Sequence, residues 1–159
     1  MERLSKTLAT ERHDMNLRPV LTAIVLAVPP VLVGWAYHEY LGHRNDYLGH
    51  FLAGFGGTLG AVTIALLAIP WAKYAKLSGW VALGVVLTCI GLGAILEQTV
   101  YHIAKWDEVD FCNQSLGAVL AGLTACAVAT TIRTNLTWAA LTAGWAGLVL
   151  LGGYHFAFK

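Results

Sequence analysis

The sequence predicts an all-α, polytopic membrane protein that folds as one bundle of about five transmembrane helices. Of the 159 residues, 57% are hydrophobic and only 12% are charged, whereas a soluble domain carries about 25% charged residues. The chain also contains mostly apolar windows of about 20 residues, the length that a helix needs to cross the hydrocarbon core of a bilayer. Together these observations indicate that most of the chain is dissolved in lipid.

Charged and aromatic residues mark the ends of the spans. We predict spans over residues 18–37, 47–71, 80–104, 114–132 and 138–158. Tryptophan anchors helices at the membrane interface, and five tryptophans lie at or near these ends: Trp35, Trp71, Trp80, Trp106 and Trp138. Residues 18–159 are therefore predicted to form the bundle, and residues 1–17 a cytoplasmic tail or a helix lying on the inner membrane face.

The first span carries two prolines, Pro29 and Pro30. Proline has no backbone N–H, so it leaves the carbonyl four residues earlier without its helical partner. We expect a kink at this position. The apolar run is too long for a signal peptide and no small-x-small cleavage site follows it, so we expect the helix to be retained.

Lysine and arginine are divided unequally between the two sides of the predicted spans. Seven lie on one side: Arg3, Lys6, Arg12, Arg18, Lys73, Lys76 and Arg133. Three lie on the other: Arg44, Lys105 and Lys159. The positive-inside rule then places the N-terminus in the cytoplasm and the C-terminus outside. We expect a multi-pass protein of the inner (plasma) membrane.

Ionisable side chains are concentrated at the predicted outer face, most densely in the stretch HEYLGHRNDYLGHF. Asp46 and His50 are four residues apart, so they share one face of the second helix. Glu97 lies in the third span, about two turns from its outer end, where a carboxylate needs a polar partner. We predict that these three residues and Asp110 converge on one polar pocket. The alternative is a single structural hydrogen bond between helices.

Three segments resemble the VanZ-like membrane proteins and a related family of bacterial inner-membrane proteins. NDYLGHFLAGF looks like the Asp-x-x-x-His-Phe signature that opens the family. ILEQ resembles the second motif, and DFCNQSLGAVLAG is similar to the third, in which an aspartate is followed by a polar amide and a Gly-Ala helix. The resemblance runs from Asp46 to Gly122, and the positions that it carries over are Asp46, His50, Glu97, Asp110 and Gly117.

Two positions depart from the family pattern. Gln114 stands where an asparagine is usual, although Asn113 precedes it, and the basic loop residue is represented only by Lys105. The resemblance implies a role in the bacterial cell envelope. Further polar residues near the four pocket positions are candidates for the same site: His38, His43, His102, Gln98, Asn113 and Gln114.

The pocket residues suit more than one ligand. A histidine with carboxylates is a hard, oxygen-rich set, so His50, Asp46 and Glu97 would suit a divalent metal such as Zn, Mn or Fe, and His102 or His38 could add a nitrogen. The five-residue spacing in HEYLGH does not match the zincin helix. We favour a site without metal, in which Glu97 and His50 share a proton and the pocket binds a lipid or envelope headgroup.

Two alternative functions stay open at this point. The chain can be an accessory subunit of a larger membrane complex, docking through small-residue faces such as Gly117-x-x-x-Ala121. It can also be a metal-dependent membrane hydrolase or oxidase. Membrane lipids and other membrane-protein subunits are the expected partners. The sequence contains no basic tract that would indicate a nucleic-acid partner.

Overall fold

The computed structural model describes residues 17–42, 44–69, 75–99 and 107–157. This part of the chain is all helical and contains five helices that are long and apolar enough to cross a membrane. They are α1 (Arg18–Tyr40), α2 (Asn45–Ala68), α3 (Ser78–Thr99), α4 (Glu108–Thr134) and α5 (Leu136–Ala157), and a short 3-10 helix, Ala75–Leu77, precedes α3. The predicted all-α class and the predicted five helices of membrane-spanning length and composition are confirmed. The predicted tail or interfacial helix at residues 1–17 lies almost entirely outside the described residues.

Capping side chains decide where two of the helices begin. Asp107 accepts hydrogen bonds from the backbone N–H of Val109 at 2.8 Å and of Asp110 at 3.4 Å. This cap satisfies donors that an uncapped first turn would expose, so α4 begins at Glu108 rather than near residue 114 as predicted. In the same way Asn135 caps α5 and leaves one residue between α4 and α5.

The turn after α1 depends on a glycine. The N–H of Leu41 closes the last helical turn on the carbonyl of Tyr37 at 3.2 Å. Gly42 then adopts a φ of 61°, in the left-handed region that other residues enter only at a cost. The chain reverses there, and α2 begins at Asn45 beside the end of α1.

The helices alternate in direction, so the bundle has two chemically different ends. The ends of α1, α3 and α5 meet the beginnings of α2 and α4 at what we call the His50 end. The beginnings of α1, α3 and α5 meet the ends of α2 and α4 at the Arg18 end. Every acidic residue in the described ranges lies at the His50 end: Glu39, Asp46, Glu97, Asp107, Glu108 and Asp110.

The central helix is α2, which contacts all four other helices and packs most extensively on α4 and α5. Phe51, Phe55, Leu59, Val62 and Leu66 of α2 are almost completely buried and form the core with alanines of α4. In contrast, α1, α3 and α5 leave most of their apolar side chains exposed. Such outward apolar faces are what lipid-contacting helices require.

Glycines allow α2 and α4 to approach to backbone contact. A Cβ atom added at Gly54 would lie closer than 3.0 Å to the backbone of Gln114, and one at Gly117 would do the same at Phe51. The two glycines therefore form a reciprocal contact across the α2–α4 interface. This corrects the interpretation of Gly117-x-x-x-Ala121 as a docking face for another subunit, since both residues are buried inside the bundle.

A second small-residue seam joins α2 to α5. Gly49 lies against Ala157, Ala53 against Gly153, and Gly56 against Leu150. Contact at each of these steps is close enough that an added Cβ on the glycine would overlap the partner's backbone. Gly60 completes the seam only loosely, with 3.8 Å between its added Cβ and the Ala146 side chain. The close approach along this seam is therefore made at Gly49, Gly56 and Gly153 rather than at Gly60.

A tryptophan replaces the hydrogen bond that Pro30 removes from α1. The helix continues through both prolines, and the carbonyl without a helical donor at Pro30 is that of Leu26, four residues earlier. The indole Nε1–H of Trp145 in α5 donates to this carbonyl at 3.0 Å. A side chain from a neighbouring helix thus satisfies the carbonyl that the proline frees, as is needed inside a membrane.

We expect Trp145→Phe to destabilise the bundle by about 1 kcal/mol, because it leaves the Leu26 carbonyl without a donor while keeping an aromatic ring in place. Reversible unfolding in mixed micelles, followed by circular dichroism, would measure the change. Trp80→Phe is the matched control, since Trp80 is 72% exposed on α3. Equal effects of the two substitutions would show that the indole hydrogen bond contributes nothing.

Candidate functional site

A cleft of about 320 Å³ opens at the His50 end between α3 and α5. These two helices barely contact each other, because each packs on the central helices instead. The floor is formed by Gly54, Gly57 and Thr58 of α2, and Gln114 and Ala118 of α4 close its inner side. Gly54 and Gly57 have no side chains, so they leave the space above this part of α2 unfilled.

Three predicted pocket residues come together at this cleft. His50 lines it from α2 and Glu97 from α3. The Nε2 atom of His50 lies 3.4 Å from the Oδ2 atom of Asp110, and their side chains are only 20% and 17% exposed. The cap at Asp107 places Asp110 in the first turn of α4, opposite His50. The pair therefore connects α2 and α4 beside the mouth of the cleft.

The partner of His50 differs from the one expected from the sequence. We predicted a proton shared between His50 and Glu97, whereas the structure pairs His50 with Asp110. The second carboxylate oxygen of Asp110, Oδ1, is buried and has no hydrogen-bond partner among the described residues. Among the described residues, the Oδ1 atom of Asp110 therefore remains available to accept a hydrogen bond from a ligand or water, or to bind a proton.

Glu97 is buried, with 9% of its surface exposed, and its side chain lines the cleft. Within the described ranges no ion pair engages its carboxylate. It lies two residues before Thr99, the last described residue of α3. The prediction that it lies two turns inside the span depends on residues 100–104, which are outside the described part.

Two neutral polar groups complete the wall. The side-chain amide of Gln114 lies directly on the backbone of Gly93, where any Cβ would overlap it. The hydroxyl of Thr58 is buried and has no hydrogen-bond partner among the described residues. Sequence reasoning missed Thr58, although it lies eight residues after His50 and so on the same face of α2. The Thr58 hydroxyl is therefore a polar atom in the cleft lining that no described residue engages.

Asp46, the fourth predicted pocket residue, is engaged elsewhere. Its carboxylate forms a two-point ion pair with Arg44, with Nη2–Oδ2 at 2.7 Å and Nε–Oδ1 at 3.1 Å. These hydrogen bonds, which Arg44 donates to the Asp46 carboxylate, raise the pKa of the Arg44 guanidinium above its usual range. Arg44 also stacks on Tyr47, with its Cζ atom 3.8 Å from the ring centroid. Asp46 is one helical turn from His50 in α2, as predicted, but its ion-pair partner is Arg44, two residues earlier in the chain.

The additional candidates fall into three groups. Asn113 accepts a hydrogen bond from the Tyr37 hydroxyl and thereby ties α1 to α4 near the site. His38 and Gln98 are exposed and do not line the cleft. His43 and His102 lie outside the described residues. Of the four candidates that the structure describes, only Gln114 contributes to the cleft wall.

The expected metal ligands are not gathered in this geometry. Across residues 17–42, 44–69, 75–99 and 107–157, no three His, Cys, Asp or Glu side chains are close enough together to hold a metal ion. Asp46 faces Arg44, so it does not join His50 and Glu97 as the sequence suggested.

No family model, curated protein or solved structure matches this chain. The resemblance to VanZ-like proteins thus stays a prediction.

Proposed function

We propose that this chain is a small integral membrane protein whose cleft binds a lipid or envelope-precursor headgroup. The observation that supports this most directly is the shape of the cleft, which is polar at the His50 end and apolar along its length. Leu92 and Leu96 of α3 and Leu150 of α5 form the apolar walls. A headgroup would lie at His50 and Glu97, with an alkyl chain between α3 and α5. Ligand pockets commonly have volumes of about 300 Å³ or more.

The charge of the His50 end favours a headgroup that donates hydrogen bonds. Six acids of the described chain lie there, with Arg44 as the accompanying arginine and already paired to Asp46. Within the described residues, no ion pair engages Glu97, and the Oδ1 atom of Asp110 accepts no hydrogen bond. An ammonium or a group of hydroxyls satisfies such acceptors, whereas an isolated phosphate would be repelled by them. The proposed ligand is therefore an amine- or sugar-bearing lipid.

The proposal places the site at the outer face of the inner membrane. Its support is the excess of lysine and arginine on the opposite side, which includes Arg18, Lys76 and Arg133 of the described residues. An outer-face site would meet lipids of the cell envelope, in line with the resemblance to VanZ-like proteins.

Full-length fusions would test this orientation. Green fluorescent protein at the N-terminus is expected to fluoresce, and alkaline phosphatase after Lys159 is expected to be active, because α1 to α5 make an odd number of crossings. The reciprocal pair of fusions is the control and is expected to be silent. A C-terminal phosphatase that stays inactive while the green reporter works at both ends would contradict the proposed topology.

Filling the cleft would test the proposed ligand. Gly57 lines the floor, and a Cβ added there would lie 3.9 Å from Leu150, so Gly57→Leu is expected to occupy the cavity without disturbing the charged groups. We expect copurifying lipid, measured by native mass spectrometry from nanodiscs, to fall about tenfold. Gly84→Leu is the control, because nothing lies within 4 Å of a Cβ at Gly84. Equal lipid occupancy in a stable Gly57→Leu protein would refute the cleft as a ligand site.

A further inference from the structure

A second cleft, of about 300 Å³, lies between α1 and α4 at the Arg18 end. It is lined by Arg18, Thr130 and Thr131 together with the buried Thr22, and its other lining residues are apolar: Leu21, Val25, Ala127 and Val128. The separation of α1 from α4 here follows from their limited packing, since α1 rests only lightly on the bundle. The cleft is at the opposite end of the molecule from the His50 site.

An adjoining hollow of about 180 Å³ shares the same three polar residues. It extends from them to Thr134, Asn135 and Trp138. Arg18, Thr130 and Thr131 therefore line both hollows. The first hollow lies between α1 and α4, and the second extends toward the beginning of α5. Trp138 at the rim is the residue type that occupies the level of lipid headgroups.

The side chains of Arg18, Thr130 and Thr131 suit a phosphate ligand. Arginine offers planar paired donors that match phosphate oxygens, and hydroxyls add further donors. The residues that line the two hollows include no carboxylate, and the described residues at the Arg18 end include no acid that would repel an anion. Lys76 and Arg133 add positive charge at the same end. Among the described residues, the charged side chains at this end are therefore all basic, whereas acids predominate at the His50 end.

We propose that the α1–α4 cleft binds an anionic phospholipid. The phosphate would be held by Arg18, Thr130 and Thr131, and one acyl chain would lie along Leu21 and Val25 between the two helices. Basic pockets between transmembrane helices bind anionic headgroups in this way. The cleft is also lined by apolar residues of α1 and α4, which would contact an acyl chain but not a free phosphate ion. We therefore assign a lipid. This assignment does not depend on the proposed function of the His50 cleft.

The experiment uses the full-length chain in nanodiscs that contain phosphatidylglycerol, phosphatidylcholine or both, with bound lipid counted by native mass spectrometry. We expect preferential retention of phosphatidylglycerol, reduced about tenfold by Arg18→Gln because the charged donor is lost. Lys76→Gln, at the same end but outside both hollows, is the matched control and is expected to retain the lipid. A second variant, Thr131→Val, keeps the side-chain shape and is expected to weaken retention without lowering the melting temperature.

Several outcomes would overturn the assignment. They are equal retention of the two lipids, equal losses in Arg18→Gln and Lys76→Gln, and unchanged retention in both Arg18→Gln and Thr131→Val. Displacement of the lipid by inorganic phosphate alone would show that the site recognises free phosphate. Glu97→Gln is expected to leave phosphatidylglycerol binding unchanged. A loss in that variant would show that the lipid binds at the His50 cleft instead.

Discussion

Replacing Gly54 or Gly117 by alanine is expected to destabilise the bundle by about 3 kcal/mol or more, the upper range for overpacking a closely packed interior. The reason is that each new methyl group would meet backbone atoms of the facing helix, which cannot rotate away as a side chain can. The two helices would have to separate along the α2–α4 interface, where the core phenylalanines Phe51 and Phe55 are fully buried. Loss of that contact would disrupt the centre of the fold.

The same chain supplies matched controls for this prediction. Gly84 and Gly91 lie in α3 with nothing within 4 Å of an added Cβ, so alanine there is expected to be neutral or to stabilise by up to about 1 kcal/mol. Unfolding in mixed micelles and the monodisperse fraction on gel filtration would compare the four variants. Similar stabilities for Gly54→Ala and Gly84→Ala would mean that the helices do not meet as closely as the structure shows.

Replacing Glu97 by glutamine is expected to remove at least about nine-tenths of the lipid bound in the His50 cleft, equal to roughly 1.4 kcal/mol or more of binding free energy. Glutamine keeps the size and much of the hydrogen-bonding shape of the side chain but cannot carry a negative charge. Glu97 makes no ion pair within the described residues, so the substitution breaks no ion pair among them. We therefore expect the melting temperature to change little.

Two further carboxylates at the same end are the controls. Glu108→Gln changes an exposed residue of α4 and is expected to leave both lipid binding and stability unchanged. Asp46→Asn breaks the exposed pair with Arg44, which solvent screens, and is also expected to leave binding intact. Parent-like binding by Glu97→Gln from pH 5 to 8, roughly the range over which histidine titrates, would make Glu97 a structural residue. A loss shared equally by Asp46→Asn would return Asp46 to the site.

The sequence was a sufficient guide to the spans because their main determinant is local. A helix in lipid satisfies its own backbone and needs only about 20 apolar residues, so each span could be recognised without its neighbours. The predicted helix boundaries were less accurate, because a single capping side chain can determine where a helix begins. Asp107 moved the start of α4 toward the N-terminus, and that shift placed Asp110 inside the helix opposite His50.

The candidate site was predictable in part for the same reason. The cost of burying a carboxylate indicated that Glu97 would face the interior, and the structure places it in the cleft. Which groups pair was not predictable, because ion pairing depends on distances between helices. Asp46 forms an ion pair with Arg44, and His50 lies beside Asp110. The four-residue helical spacing had suggested that Asp46 and His50 belong to the same pocket.

By itself, then, the sequence determined a membrane bundle with five apolar helices and a concentration of histidine and acid at one end, since composition and helix length act residue by residue. Only the tertiary structure decided how α2 fits between α4 and α5, because a glycine reveals a close approach only when its partner's backbone is known. It also decided that Trp145 satisfies the carbonyl freed at Pro30. The cleft itself results from packing, because α3 and α5 both pack on the central helices and leave a space between them. No single segment of the sequence predicts that space.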